Sequence, residues 1–320
     1  MSFAKRLGLA VLLSCAVAPA VAQDYPTRNI TMIVPFAAGG TSDVIARLAA
    51  EHMRKELGQS IINENMAGAG GSTALTRAAR ANPDGYTIVI GNSGTNAASY
   101  SIYKDLKYTP DDFMPVGLIA KTLPIIAVNP KVPAKTLAEF IAYAKKNPGK
   151  LNMGHAGVGS SNYLICRAFV QASGVDVQLV SYRGAAPALN DAISGQIDGV
   201  CDAAASVSGA IQGGALTGLV ISSPQRLRSL PDVPTSAEAG LPNFQQQGWN
   251  GLFVPKGTPP AVIAKLNAAL RSAVTNEAFE KRMDDLGSLP ATREEMSPEF
   301  VKALVPVEIE KFRVLLSDSK

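Results

Sequence analysis

Two histidines, three cysteines and one tryptophan are all that the 320 residues hold of these types, and each scarcity excludes something. A serine hydrolase needs a histidine and an acid beside its nucleophile, with G-x-S-x-G around the serine. Here the histidines are His52 and His155, and Ser160 stands in no such motif. A zinc centre needs three or four His, Cys or acidic ligands at recognisable spacing, and none is evident. The paired acids Asp284-Asp285 and Glu294-Glu295 lie on polar helical stretches and read as solvated faces. The reading is therefore of a protein that is not an enzyme and carries neither cofactor nor metal. A long basic run is also missing. With 30 Lys and Arg against 26 Asp and Glu, nucleic acid and anionic membrane are poor partners.

Long apolar stretches are lacking after the first two dozen residues, so no later segment reads as a spanning helix. The beginning differs. Lys5 and Arg6 precede the apolar run Leu7 to Val17, and Ala20-Val21-Ala22 supplies a small-x-small cleavage pattern. This predicts a secretory signal over residues 1–22, cleaved after Ala22. Leu12-Leu13-Ser14-Cys15 offers a rival reading, a lipoprotein box acylated at Cys15. Cleavage after Ala22 leaves Cys166 and Cys201, and two cysteines in an oxidising compartment invite a disulfide. The plain alternative is two buried small apolar side chains. What remains is long enough for two domains of about 150 residues each.

Short β-branched runs alternate with helix-period segments, the pattern of sheets flanked by helices. Strands are predicted at Ile30 to Val34, Ser60 to Asn63 and Tyr86 to Ile90, and a helix bearing Val44, Leu48, Met53 and Leu57 closes at Gly58. A second series opens at Leu123 to Val128. It continues through a helix with the capping box Thr136/Glu139, a strand near Met153, a helix from Asn162, strand Val177 to Val180, a helix from Ala186 to Ser194, and Leu216 to Ile221. The last third reads as mainly helical. This predicts a first lobe of residues 23–122 plus 226–320, interrupted by a second lobe of residues 123–225.

A strand, a glycine-rich turn and a helix occur twice, once in each expected lobe. The first turn is Pro35-Phe36-Ala37-Ala38-Gly39-Gly40-Thr41-Ser42-Asp43 and the second is Gly154-His155-Ala156-Gly157-Val158-Gly159-Ser160-Ser161-Asn162. The first amides of a helix have no internal partners and its dipole favours negative charge there. Glycines let the backbone approach an anion, and Thr41, Ser42, Ser160 and Ser161 add hydroxyl donors. Neither turn fits the P-loop, which needs lysine before the hydroxyl residue, and neither contains G-x-G-x-x-G. Opposed sheets would present both turns to one cleft.

The sequence resembles, over its whole expected mature length, the Bug family of extracytoplasmic receptors for tripartite tricarboxylate transporters. The matching stretches include Ile33-Val34-Pro35-Phe36 with Gly39-Gly40, Glu64-Asn65 with Gly68-Ala69-Gly70-Gly71, Pro83-Asp84-Gly85-Tyr86-Thr87 and Gly184-Ala185-Ala186-Pro187-Ala188-Leu189. Further along are Leu230-Pro231-Asp232-Val233-Pro234-Thr235 and Pro255-Lys256-Gly257-Thr258-Pro259. The resemblance implies an α/β, two-lobed periplasmic-binding-protein fold, a type II-like clamshell with a mostly parallel sheet in each lobe. It also implies a periplasmic monomer that holds a small organic carboxylate between the two turns and delivers it to the transporter's membrane subunits. The alternative is a sensory component that presents the loaded form to a signalling receptor.

Carried over residue by residue, the resemblance places Phe36, Ala38, Gly40 and Asp43 of the first turn, and Ala156, Gly157, Gly159 and Ser160 of the second, at the ligand. Asn92-Ser93-Gly94-Thr95 matches a third site-facing segment, from which Ser93 and Thr95 are taken, and Asp202 matches an acidic position in the second lobe. Thr41 joins them as a hydroxyl donor and His155 as a turn residue with little to pack against. Asp43 reads equally as a helix cap, and Asp202 as a buried acid that orders the second turn. His155 and Asn162-Tyr163 depart from the family pattern, which leaves the far end of the pocket individual to this protein.

Overall fold

The computed structural model describes residues 25–317, so the expected leader, its cleavage site and Cys15 lie outside the described residues. The chain starts with β1 (Ile30–Val34), α1 (Thr41–Leu57), β2 (Ile61–Asn65), α2 (Ser72–Ala79) and β3 (Thr87–Asn92). A short π-type turn leads into α3 (Ser99–Ile102), followed by β4 (Phe113–Thr122) and β5 (Pro124–Val128). Next come α4 (Leu137–Lys146), β6 (Asn152–His155), α5 (Ser161–Ser173), β7 (Gln178–Ser181), α6 (Ala185–Ser194), β8 (Gly199–Ala203), α7 (Ala204–Gln212) and β9 (Thr217–Ile221). The chain ends with β10 (Gly248–Pro255), α8 (Pro260–Val274), α9 (Glu277–Asp285), β11 (Ser288–Pro290) and α10 (Pro298–Ser317).

The strands form two sheets, ordered β11-β4-β10-β3-β1-β2 and β7-β6-β8-β5-β9. In each, the strands followed by helices run parallel, as β1 does with β2 and β3, and β6 with β7 and β8. Reversed strands appear where the chain changes sheets. β4 ends at the interface and β5 starts there after a single residue, Leu123, so β5 runs away from it and pairs antiparallel with β8 and β9. The returning strand β10 likewise starts at the interface and pairs antiparallel with β3 and β4.

Local chemistry sets several element ends. Gly58 stops α1 in the left-handed conformation, φ 66°, where only glycine is free of a Cβ penalty. The Thr136 hydroxyl accepts from the Glu139 amide at 3.2 Å, and the Glu139 carboxylate accepts from the Thr136 amide at 3.2 Å, completing the capping box ahead of α4.

One apolar core fills the first lobe, with Ile33, Val89, Leu252 and Phe312 fully buried or nearly so. The second sheet is covered on both faces, because successive residues of a strand point to opposite sides. Ile126 faces Phe140, Phe169 and Phe244, whereas Ile125 faces Val200, Leu230 and Val233.

Part of the segment that follows residue 226 packs on the second sheet. Leu230 and Val233 pack on one face of the second sheet, Leu241 and Phe244 on the other, and Ile221 bridges to Thr235. Among the described residues no helix is long and apolar enough to cross a membrane.

Candidate functional site

A cavity with about 20 Å³ of free space, room for a water or two, lies between the sheets. Its walls come from both lobes: Phe36, Gly40, Thr41, Ser42, Asn92, Ser93 and Thr122 on one side, and Ala156, Ser161, Asn162, Ile165, Ala185 and Ala203 on the other. Gln246, Gly248 and Asn250 complete it from the returning segment and β10. No lining side chain is charged. The position follows from topology, since β1, β3, β4, β6 and β8 all end here and α1 and α5 begin here.

The first turn is held from behind by Asp43. Its buried carboxylate accepts from the Gly39 amide at 2.8 Å, from Arg47 Nε at 2.9 Å and from Asn65 Nδ2 at 2.9 Å, and Asn65 Nδ2 also donates to the Phe36 carbonyl at 3.0 Å. Burial pushes the carboxyl up, but the bonds from Arg47, Gly39 and Asn65 outweigh it and keep Asp43 below the usual carboxylate range. With those bonds Asp43 orders the turn and does not line the cavity. Ala38 is exposed and also lies off the wall.

Thr41 and Ser42 open α1 on the cavity. Ser42 Oγ donates to Asn250 Oδ1 at 2.9 Å and accepts from Asn92 Nδ2 at 3.3 Å, so its hydroxyl is spent within the protein. Thr41 Oγ1 is buried with no partner. A buried hydroxyl left unpaired costs about 1–3 kcal/mol, and Thr41 is at the same time a wall residue of the cavity.

The second turn is organised differently. Gly157 (φ 106°) and Gly159 (φ 84°) occupy left-handed backbone. The Gly157 amide donates to His155 Nδ1 at 3.2 Å, and Ser160 Oγ donates to the Gly157 carbonyl at 2.6 Å while accepting from the Tyr163 amide at 3.1 Å. His155 is 1% exposed, and burial drives its imidazole down to about 4. With Nδ1 accepting, the proton resides on Nε2, which faces Ser181 Oγ at 3.3 Å. His155, Gly157, Gly159 and Ser160 thus shape the turn while Ala156 lines the cavity. The amides of Ser161 and Asn162, like those of Thr41 and Ser42, make no hydrogen bond to another described residue.

The third segment is an internal knot. Asn92 Oδ1 accepts from the Gly94 and Thr95 amides, and Thr95 Oγ1 accepts from the Asn92 amide and donates to Asn96 Oδ1. Thr95 is consequently buried away from the cavity, whereas Ser93 lines it and shares a 2.9 Å hydrogen bond with Ser161 Oγ across the lobes.

Asp202, 1% exposed at the end of β8, accepts from Asn162 Nδ2 at 2.6 Å and from the Ala203 amide at 2.7 Å. Burial raises its carboxyl to about 6. It stands behind the wall formed by its partners Asn162 and Ala203. Next to it Cys201 is bonded to Cys166 of α5, with Cα atoms 5.3 Å apart.

Several wall residues carry no motif. Thr122 ends β4, Gln246 precedes β10, and Gly248 and Asn250 lie on β10, all remote in sequence from either turn and assembled by the pairing of β10 with β3 and β4. Gly184-Ala185 belonged to a matching stretch, yet only the fold sets Ala185 against Phe36 and Ala156. There the Ala37 amide donates to the Arg183 carbonyl at 3.3 Å.

A two-lobed α/β protein with helix starts from both lobes on one uncharged cleft is a solute-binding architecture, and comparison with known proteins agrees. The profile of the tripartite tricarboxylate transporter family receptor matches residues 45–301. BugT of Bordetella pertussis is 30% identical over 96% of this chain and 94% of its own. The structure of the periplasmic binding protein BugD superposes with a TM-score of 0.88 at 36% identity, covering 92% of this chain and 98% of that one. MatC from Rhodopseudomonas palustris with bound malate gives 0.87 at 40% identity, over 91% and 99% of the two chains. The chain belongs to the tripartite tricarboxylate transporter receptor family, a family of solute-binding receptors rather than enzymes.

Proposed function

We propose that this protein is an extracytoplasmic receptor that closes its two lobes on a small organic carboxylate and delivers it to the membrane subunits of a tripartite transporter. One observation carries the reading: helix starts from both lobes, with unpaired amides, share a single cavity without a charged wall residue. Such donors stabilise an anion without a permanent ion pair, which suits capture followed by release. The malate bound by MatC supports a carboxylate. Phe36, Gly40, Thr41, Ser93 and Ala156 touch the ligand in this reading, and Asp43, Thr95, His155, Gly157, Gly159, Ser160 and Asp202 set the geometry around them. Export after cleavage at Ala22, and action as a monomer, complete it.

A ligand that touches both lobes binds the closed state better and shifts the population toward it. Thermal unfolding with mono-, di- and tricarboxylates and aromatic acids tests this. A true ligand at about 100 times its dissociation constant adds about 2.7 kcal/mol, and the absence of any shift across the panel overturns the reading.

A further inference from the structure

Asn162 is the second residue of α5 and the one wall side chain whose orientation is fixed from behind by a buried acid. Its Nδ2 donates to Asp202 Oδ1 at 2.6 Å and to the Cys201 carbonyl at 3.3 Å. Both partners are acceptors, so a rotation exchanging oxygen for nitrogen would set three oxygens against one another. The network therefore assigns the amide uniquely. Both Nδ2 hydrogens are spent, and the remaining polar atom, Oδ1, accepts no hydrogen bond from a described residue. An amide oxygen whose nitrogen donates toward a carboxylate is polarised toward negative charge. It repels a carboxylate and attracts a donor. On the same wall the amides of Ser161 and Asn162 and, across the cleft, those of Thr41 and Ser42 offer the complementary donors. The acceptor thus stands within one residue of the anion-favouring helix start.

We propose that Asn162 Oδ1 reads a hydrogen-bond donor on the ligand, so that the preferred ligand class is carboxylic acids carrying a hydroxyl or ammonium group close to the carboxylate. The inference rests on the receptor reading above and narrows it. Asp202 acts through Asn162 as a positioning residue, and the Cys166–Cys201 bond tethers the helix and strand that carry the pair.

The test is calorimetric titration of the whole mature protein with two matched sets, propionate, lactate and alanine, and succinate, malate and aspartate. The hydroxyl or ammonium member of a set is expected to bind about tenfold more tightly than its bare acid, the fold-change of one hydrogen bond. Asn162→Leu is expected to collapse that ratio toward one. A loss of packing alone would weaken all members together and leave the ratio standing. Asp202→Asn, which frees the Asn162 amide to rotate, gives an independent second variant and is expected to lower the ratio too. Equal binding of substituted and bare acids by the native protein, or a ratio unchanged in both variants, overturns the proposal and leaves the receptor reading intact. Binding of no member of either set, with other carboxylates inert as well, overturns the receptor reading itself.

Discussion

Asp202 and His155 are both buried in the second lobe and titrate with opposite consequences. The Asp202 carboxyl moves from an ordinary 3.8 up to about 6, so the stability tied to its neutral form is complete below 3.8 and is lost as pH rises through 6. The His155 imidazole moves from 6.5 down to about 4, so its contribution is complete above 6.5 and is lost as pH falls through 4. Each is worth on the order of 3 kcal/mol, and the slopes oppose one another across the interval from 4 to 6. Relative to the native protein, Asp202→Asn is expected to gain stability as pH rises through that interval, and His155→Asn to gain it as pH falls. Denaturant unfolding across a pH series checks both signs, and curves parallel to the native one would refute them. Residue environments of this kind were the least legible in the sequence. His155 read as a turn residue with little to pack against, whereas Tyr163, with its ring centroid 5.2 Å away, and Ser181 enclose it. Its burial depends on partners from two other elements.

Among elements, α5 and β8 carry the second turn and the acid behind it, and the disulfide joins them across 35 residues. Cross-linking a loop of that length restricts the unfolded chain by about 4 kcal/mol on the entropic account. The Cys166→Ala/Cys201→Ala variant is expected to lose stability of that order in denaturant unfolding. Mass spectrometry under non-reducing conditions is expected to show no free thiol at either position in the native protein. A variant as stable as the native protein would refute this. Strands with a β-branched signature, such as β1 and β7, were readable from sequence within a residue or two, as were the caps at Thr136 and Gly58. Strands β8 and β10 were not. Both are buried along their whole length, so neither alternates, and their Gly, Asn and Asp residues resemble turns. Gly248 is small because a Cβ there would come within 2.5 Å of Thr122 Oγ1, a constraint invisible until β4 and β10 are paired.

At the scale of the whole molecule, closure depends on backbone meeting backbone. A Cβ on Gly94 would lie 2.5 Å from the Ser161 nitrogen and 2.6 Å from the Gly159 carbonyl oxygen, so Gly94→Ala cannot close without displacement. The obstruction is between lobes rather than within one. Ligand affinity is therefore expected to fall at least tenfold, about 1.4 kcal/mol, while unliganded stability changes little. Calorimetry and small-angle scattering check this, and an affinity equal to the native one would refute it. The paired turns and the two-lobed class were legible because each is local to one strand, turn and helix. The packing of residues 222–247 was not, since they lack regular structure apart from one bridge. The place of β10, in the first sheet between β3 and β4, also governs the order in which the protein can be made. Until residues 248–255 are in place, β4 and β3 have no strand between them to pair with, so the six-stranded sheet closes only when nearly four-fifths of the sequence is available.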